Sequence, residues 1–166
     1  MGAYDEVVLS VVTPPRVQPG KPLPMAAFYP FMVGTSTAAS RQHAIERWHL
    51  PHYMGDLDFA FQVGGGRMTV SVEEKGSPVL RLAVTEHAFQ PVVRPYHCFM
   101  MDGKERLKVN IFMDAPHSQH EFEQGELVLF DHPLTRGLTA AEVASFPFRE
   151  EWYQAGVQTF EEVERI

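Results

Sequence analysis

No intrachain disulfide can form in this chain, because its one cysteine, Cys98, has no partner. That fits a reducing compartment. No apolar run approaches the ~18 residues of a membrane-spanning helix. The N-terminus lacks a basic stretch followed by a hydrophobic one, so no secretory signal is expected and a cytoplasmic location is. Basic residues are in the minority: 14 Lys and Arg against 21 Asp and Glu give a net charge of −7, which argues against non-specific nucleic-acid binding. Gly64-Gly65-Gly66 is followed by no Lys-Ser/Thr pair and is no phosphate loop. A Gly-x-Ser-x-Gly hydrolase elbow is also missing.

What remains is material for one good core: 166 residues, 45% of them hydrophobic and 11% aromatic. A single domain over residues 1–166 is expected. Tyr4–Val12 is a β-branched run without a breaker, and it predicts a strand. Five prolines between Thr13 and Pro24 exclude that stretch from a central strand. Met25–Val33 reads as the return strand, with Pro30 as a point of irregularity. Thr35, Ser36 and Thr37 offer N-caps for a helix reaching Trp48, which Pro51 stops. Further strands are predicted at Leu57–Val63, Arg67–Glu73, Val79–Ala88, Leu107–Met113 and Gly125–Asp131, and a short helix at Thr139–Ser145. Strands dominate and helical crossovers are few, so an α+β, mainly β domain built on an antiparallel barrel or sandwich is favoured over a Rossmann-type fold.

Several short stretches, in this order, resemble the acetoacetate decarboxylase family. Gly2-Ala3-Tyr4-Asp5-Glu6 resembles the family's Gly-Pro-Tyr-x-Glu strand opening, and Tyr29-Pro30-Phe31-Met32-Val33 the strand before its helix. Glu46 and Trp48 match the helix end. Trp48-His49-Leu50-Pro51-His52-Tyr53 parallels a segment reading roughly Trp-Gly-Phe-Pro-Lys-Lys. Leu107-Lys108, Leu129-Phe130-Asp131-His132-Pro133 and Glu150 to Tyr153 resemble later family segments. The family's N-terminal section, which supplies an arginine and a second glutamate to its site, has no counterpart here. The resemblance implies a cone-shaped antiparallel β-barrel with peripheral helices and an internal pocket. It also implies Glu6 and His52 as catalytic positions, with Tyr29, Met32, Trp48, Tyr53 and Lys108 around a ligand.

The resemblance fails at the family's nucleophile. Its first lysine forms a Schiff base, with a pKa lowered by desolvation and a neighbouring cation. His52 and Tyr53 occupy both lysine positions here. Imidazole has no primary amine and cannot form that imine, although it can serve as acid, base or metal ligand. Glu6 is either an outward residue of an alternating strand or a pocket carboxylate whose pKa burial raises. Lys108, between Leu107 and Val109, is either outward-facing or a relocated amine nucleophile. His49 and His52, and likewise His117 and His120 in an expected exposed loop, have i, i+3 spacing. A zinc site needs about three converging ligands, so no metal and no cofactor are expected. Cys98 reads as a buried, inert thiol.

Three readings stay open: Glu/His acid–base chemistry on a small organic acid or carbonyl compound, a non-catalytic binding or assembly protein, and a lyase using Lys108. The expected partners are a small-molecule ligand and further copies of the chain, with no nucleic acid and no membrane.

Overall fold

A computed structural model describes residues 2–138 and 143–166. The chain opens with a hairpin of β1 (Glu6–Thr13) and β2 (Ala26–Thr35), whose connection is the proline-rich loop. Leu9 pairs with Met32 but Ser10 with Pro30, so Phe31 is the extra residue of a bulge at the expected irregularity. Helix α1 (Ala38–Trp48) follows. Its N-cap is Thr37, whose side chain accepts from the Ser40 N–H, and His49 closes it in the left-handed conformation at φ 51°. A short strand, β3 (His52–Asp56), then lies parallel to β2.

Strands β4 (Asp58–Gly64), β5 (Arg67–Glu74) and β6 (Ser77–Thr85) form an antiparallel meander joined by β9 (Glu126–Leu129). Strands β7 (Gln90–Asp102) and β8 (Glu105–His120) form one long hairpin. The larger sheet runs β1-β2-β7-β8-β10, where β10 is Glu150–Tyr153. Strands β11 (Val157–Phe160) and β12 (Glu164–Arg165) also pair with β8, and β3 with β2. This sheet curls into a half-barrel. The mainly β reading with one substantial helix stands, with two details that the expected antiparallel barrel did not contain: β2 pairs in parallel with both β3 and β7.

Two apolar clusters hold the layers together. Leu57, Val70, Val72, Val79, Leu80 and Leu134 pack between the two sheets. Gly34 permits that approach, since a Cβ there would overlap Leu134 and Leu57. Cys98, Met100, Leu107 and Val109 form the second cluster on β7 and β8, with Trp48 and Leu50 packed against it.

Strand β7 is not among the expected strands, and it carries Pro91 and Pro95. Its pairing with β2 covers only Tyr96–Cys98; Pro91 lies beyond it, and Pro95 sits at its end, where its carbonyl accepts from the Met25 N–H at 2.8 Å. Pro116 in β8 is tolerated the same way, between the stretch paired with β11 and the stretch paired with β10. The expected exposed loop around His117 and His120 is therefore the end of a strand, and both residues are buried under neighbouring elements. Lys108 is only 1% exposed, where alternation suggested an outward residue. Of the expected helix at Thr139–Ser145, residues 139–142 lie outside the described residues, and 143–145 are not helical. No helix among the described residues is long and apolar enough to cross a membrane.

Candidate functional site

The face of α1 turned towards β7 and β8 carries Ser40, His43, Ala44 and Trp48, a spacing of three, four and eight residues that aligns them. Opposite them stand Cys98 and Met100 from β7, Val109 and Ile111 from β8, and Phe160 from β11. Leu50, Tyr4 and Glu6 complete the lining. The space enclosed is about 230 Å³. Trp48 and Phe160 meet with ring centroids 5.2 Å apart. Ser40 ties the wall to β2, its hydroxyl lying 2.6 Å from that of Thr35.

Glu6 is the acidic residue in this largely apolar lining, which contains no lysine or arginine. As a whole residue Glu6 is exposed, yet desolvation by the walls beside it pushes its carboxyl pKa above the ordinary 4.5. The Cys98 thiol is pushed up to about 12, first by burial and then by Glu6, so it stays protonated at neutral pH. Burial and Glu6 likewise raise Tyr4.

His52 shares a sheet face with Glu6 but not the cavity wall. Glu6 pairs with Thr35, and Val33, two positions earlier in β2, pairs with His52. Two strand spacings and two residues separate the side chains, roughly 12 Å in a flat sheet. Both imidazole nitrogens of His52 are buried without a hydrogen-bond partner. Burial, followed by the nearby Arg41 guanidinium, lowers its pKa and keeps the ring neutral. Arg41 itself donates to the Gly55 carbonyl at 3.0 Å and to Asp56 at 2.9 Å.

Trp48 therefore joins Glu6 at the cavity, and the other expected ligand contacts lie elsewhere. Tyr53 packs into the inter-sheet core and donates to Glu74 at 2.9 Å, where His132 also binds at 3.2 Å. Met32 packs on the same core. Tyr29 lines a separate recess with Phe99 and Ile166. Lys108 points to the opposite face of β8 from Val109 and pairs with Glu164 at 2.9 Å. His49 and His52 do not share a helix face, because α1 ends at Trp48. Ser40, His43 and Phe160 were not singled out beforehand. The helical spacing of Ser40, His43, Ala44 and Trp48 could have marked the first two, whereas Phe160 reaches the cavity only through long-range strand pairing.

Comparison with solved structures decides the architecture. The enduracididine biosynthesis enzyme MppR complexed with pyruvate matches with a TM-score of 0.62 at 14% identity. MppR complexed with the condensation product of pyruvate and imidazole 4-carboxaldehyde gives 0.56 at 15%. An acetoacetate decarboxylase-like enzyme from Sphingomonas wittichii RW1 gives 0.51 at 14%. The chain shares its fold with MppR and with that acetoacetate decarboxylase-like enzyme. Each match takes in 98% of this chain but 66%, 65% and 69% of the other, so the chain spans less than two thirds of the length of the first two. No family model matches the sequence, and no curated protein does so significantly. At such identities the acetoacetate decarboxylase-like likeness concerns the fold alone.

Proposed function

We propose that the cavity beneath α1 binds a small, mainly apolar carbonyl compound and that Glu6 exchanges a proton with it. The observation carrying this is a lone carboxyl group, with a raised pKa, in a largely apolar lining that holds no lysine or arginine. A free organic acid would set a second negative charge near Glu6 with no lysine or arginine in the lining to balance it, which apolar surroundings make costly. A neutral aldehyde or ketone avoids that conflict. The MppR complexes contain pyruvate and its condensation product with imidazole 4-carboxaldehyde. For this chain the aldehyde-like half of such chemistry is the better guide, since the cavity lining offers no amine for a Schiff base.

In this reading ionised Glu6 removes a proton from the carbon beside the carbonyl. The C–H electron pair moves into the adjacent C–C bond and the carbonyl oxygen takes the negative charge, while a carboxyl O–H forms. Reversal restores the ketone with a solvent-derived proton. The test follows α-proton exchange of 2-butanone in D₂O by proton NMR. The wild type should accelerate exchange, with a rate rising with pH as Glu6 ionises above 4.5, and Glu6→Gln should lower it about a hundredfold. Equal rates in both proteins would remove Glu6 from the chemistry.

A lyase acting through Lys108 has less support, because that amine is turned from the cavity and paired with Glu164. The assembly reading draws on β1, an edge of the larger sheet that exposes Val8, Val11 and Val12. Such an edge invites pairing with a second copy. Light scattering at micromolar concentration is expected to give a homo-oligomer, and a monomer at all dilutions would rule it out.

A further inference from the structure

On the outer face of the β7–β8 hairpin lies a second cavity of about 170 Å³. Strand alternation separates the two spaces. Cys98, Met100, Val109 and Ile111 face inwards, whereas Pro95, His97, Asn110 and Phe112 face outwards. The proline-rich loop covers this outer space from one side, and the segment carrying Glu161 and Glu164 closes the other.

The chemistry here differs from that of the inner cavity. The loop contributes two cations, Arg16 and Lys21, both exposed at its rim. The opposite side contributes two carboxylates. Glu161 accepts from the Asn110 carboxamide at 2.6 Å, and Glu164 pairs with the buried Lys108 at 2.9 Å. His97, 7% exposed, accepts the Arg16 backbone N–H at its Nδ1 at 3.3 Å, which leaves its Nε2 as a donor. The carboxamide oxygen of Asn110 is buried and has no hydrogen-bond partner. A buried acceptor without a donor costs about 1–3 kcal/mol, and this one belongs to a residue that lines a space large enough for a small molecule.

We propose that this outer cavity is a second binding site, for a small dipolar molecule with an ammonium and a carboxylate, such as a free amino acid. The ammonium would supply the donor that the Asn110 oxygen lacks and sit near Glu161. The carboxylate would meet Lys21 and Arg16. A simple anion would leave the Asn110 oxygen unsatisfied and face Glu161, and a simple cation would waste the loop's charges. Neither matches the arrangement as a dipole does. The site is independent of the chemistry proposed for Glu6, because no residue lines both cavities.

The full chain, ¹⁵N-labelled, is titrated with glycine and with L-serine, and separately with acetate and methylammonium. The Asn110 side-chain amide is followed by NMR. Saturable shifts are expected with the amino acids and not with either single-charge probe. Lys21→Ala, an exposed loop change that leaves the core intact, should weaken amino-acid binding about three- to fivefold, the scale of one exposed ion pair. Asn110→Leu should abolish it, read on neighbouring backbone amides, and Glu6→Gln should leave it unchanged. Failure of every probe to saturate by tens of millimolar overturns the proposal. So does acetate binding as well as glycine, or binding that survives Lys21→Ala undiminished.

Discussion

Glu150→Ala is expected to destabilise the protein by about 3–5 kcal/mol, because it leaves several backbone and hydroxyl donors without their acceptor. Glu150 is 3% exposed and accepts four hydrogen bonds. The Thr85 N–H and hydroxyl both donate to one carboxylate oxygen at 2.8 Å. The N–H groups of Gln124 and Gly125 donate to the other at 2.9 and 2.7 Å. Glu150 begins β10 in the larger sheet, while Thr85 ends β6 in the smaller one. One carboxylate thus pins the two sheets together where they share no ladder. Burial pushes its pKa up, but the donated hydrogen bonds outweigh that and hold it below 4.5. A depressed folded pKa stabilises above the unfolded value and ceases to do so as pH falls through the folded one. The penalty measured by urea unfolding should therefore be full at neutral pH and shrink below about pH 4.5. A loss under 1 kcal/mol at pH 7 would show that water or local rearrangement replaces the clamp.

His52→Leu is expected to act in the opposite direction and stabilise the fold by about 1–2 kcal/mol. The wild-type ring buries two nitrogens that nothing satisfies, and exchanging such a group for an apolar one of similar size removes the desolvation cost. The pH dependence gives a second reading. Because the folded pKa of His52 lies below 6.5, the unfolded chain takes up a proton that the folded chain refuses. The histidine contribution to stability therefore falls as pH drops below about 6.5. The advantage of leucine should widen across that range. His97 and His117 also have lowered pKa values, so only the difference between variant and wild type isolates His52. A leucine variant that is less stable, or has an unchanged slope, would mean that the imidazole has partners in solution.

Local signals carried α1 and the opening hairpin. Of the three caps offered by Thr35, Ser36 and Thr37, Thr37 is used; Trp48 ends the helix, and the β-branched run after Glu6 forms an edge strand. Long-range pairing escaped. Pro91, Pro95 and Pro116 sit within β7 and β8, and sequence does not reveal which stretches of those strands lack a second neighbour. Lys108 looked like a surface residue because its cover, Glu164, comes from a strand of two residues. Of the residues marked in advance, Glu6 and Trp48 line the cavity. Tyr53 and Met32 follow from the same family segments, but strand alternation turns them to the other side of the sheet, into the core shared with β4–β6.

Strand β8 is paired along nearly its whole length with β7, while its other edge is filled piecewise by β12, β11 and β10. These three patches span two, four and four residues, and β11 and β12 are exposed throughout. Each can detach without breaking the hairpin beneath it, so opening free energies should form a gradient. Amide hydrogen exchange would be slow at Trp152, faster at Thr159 and fastest at Ile166, whose N–H bonds to the Arg106 carbonyl at 3.0 Å. Glu161 and Glu164 lie on the fast part of that gradient. The outer cavity is thus walled on one side by the stretch of the sheet expected to exchange fastest, and opening there would give a small molecule a way in.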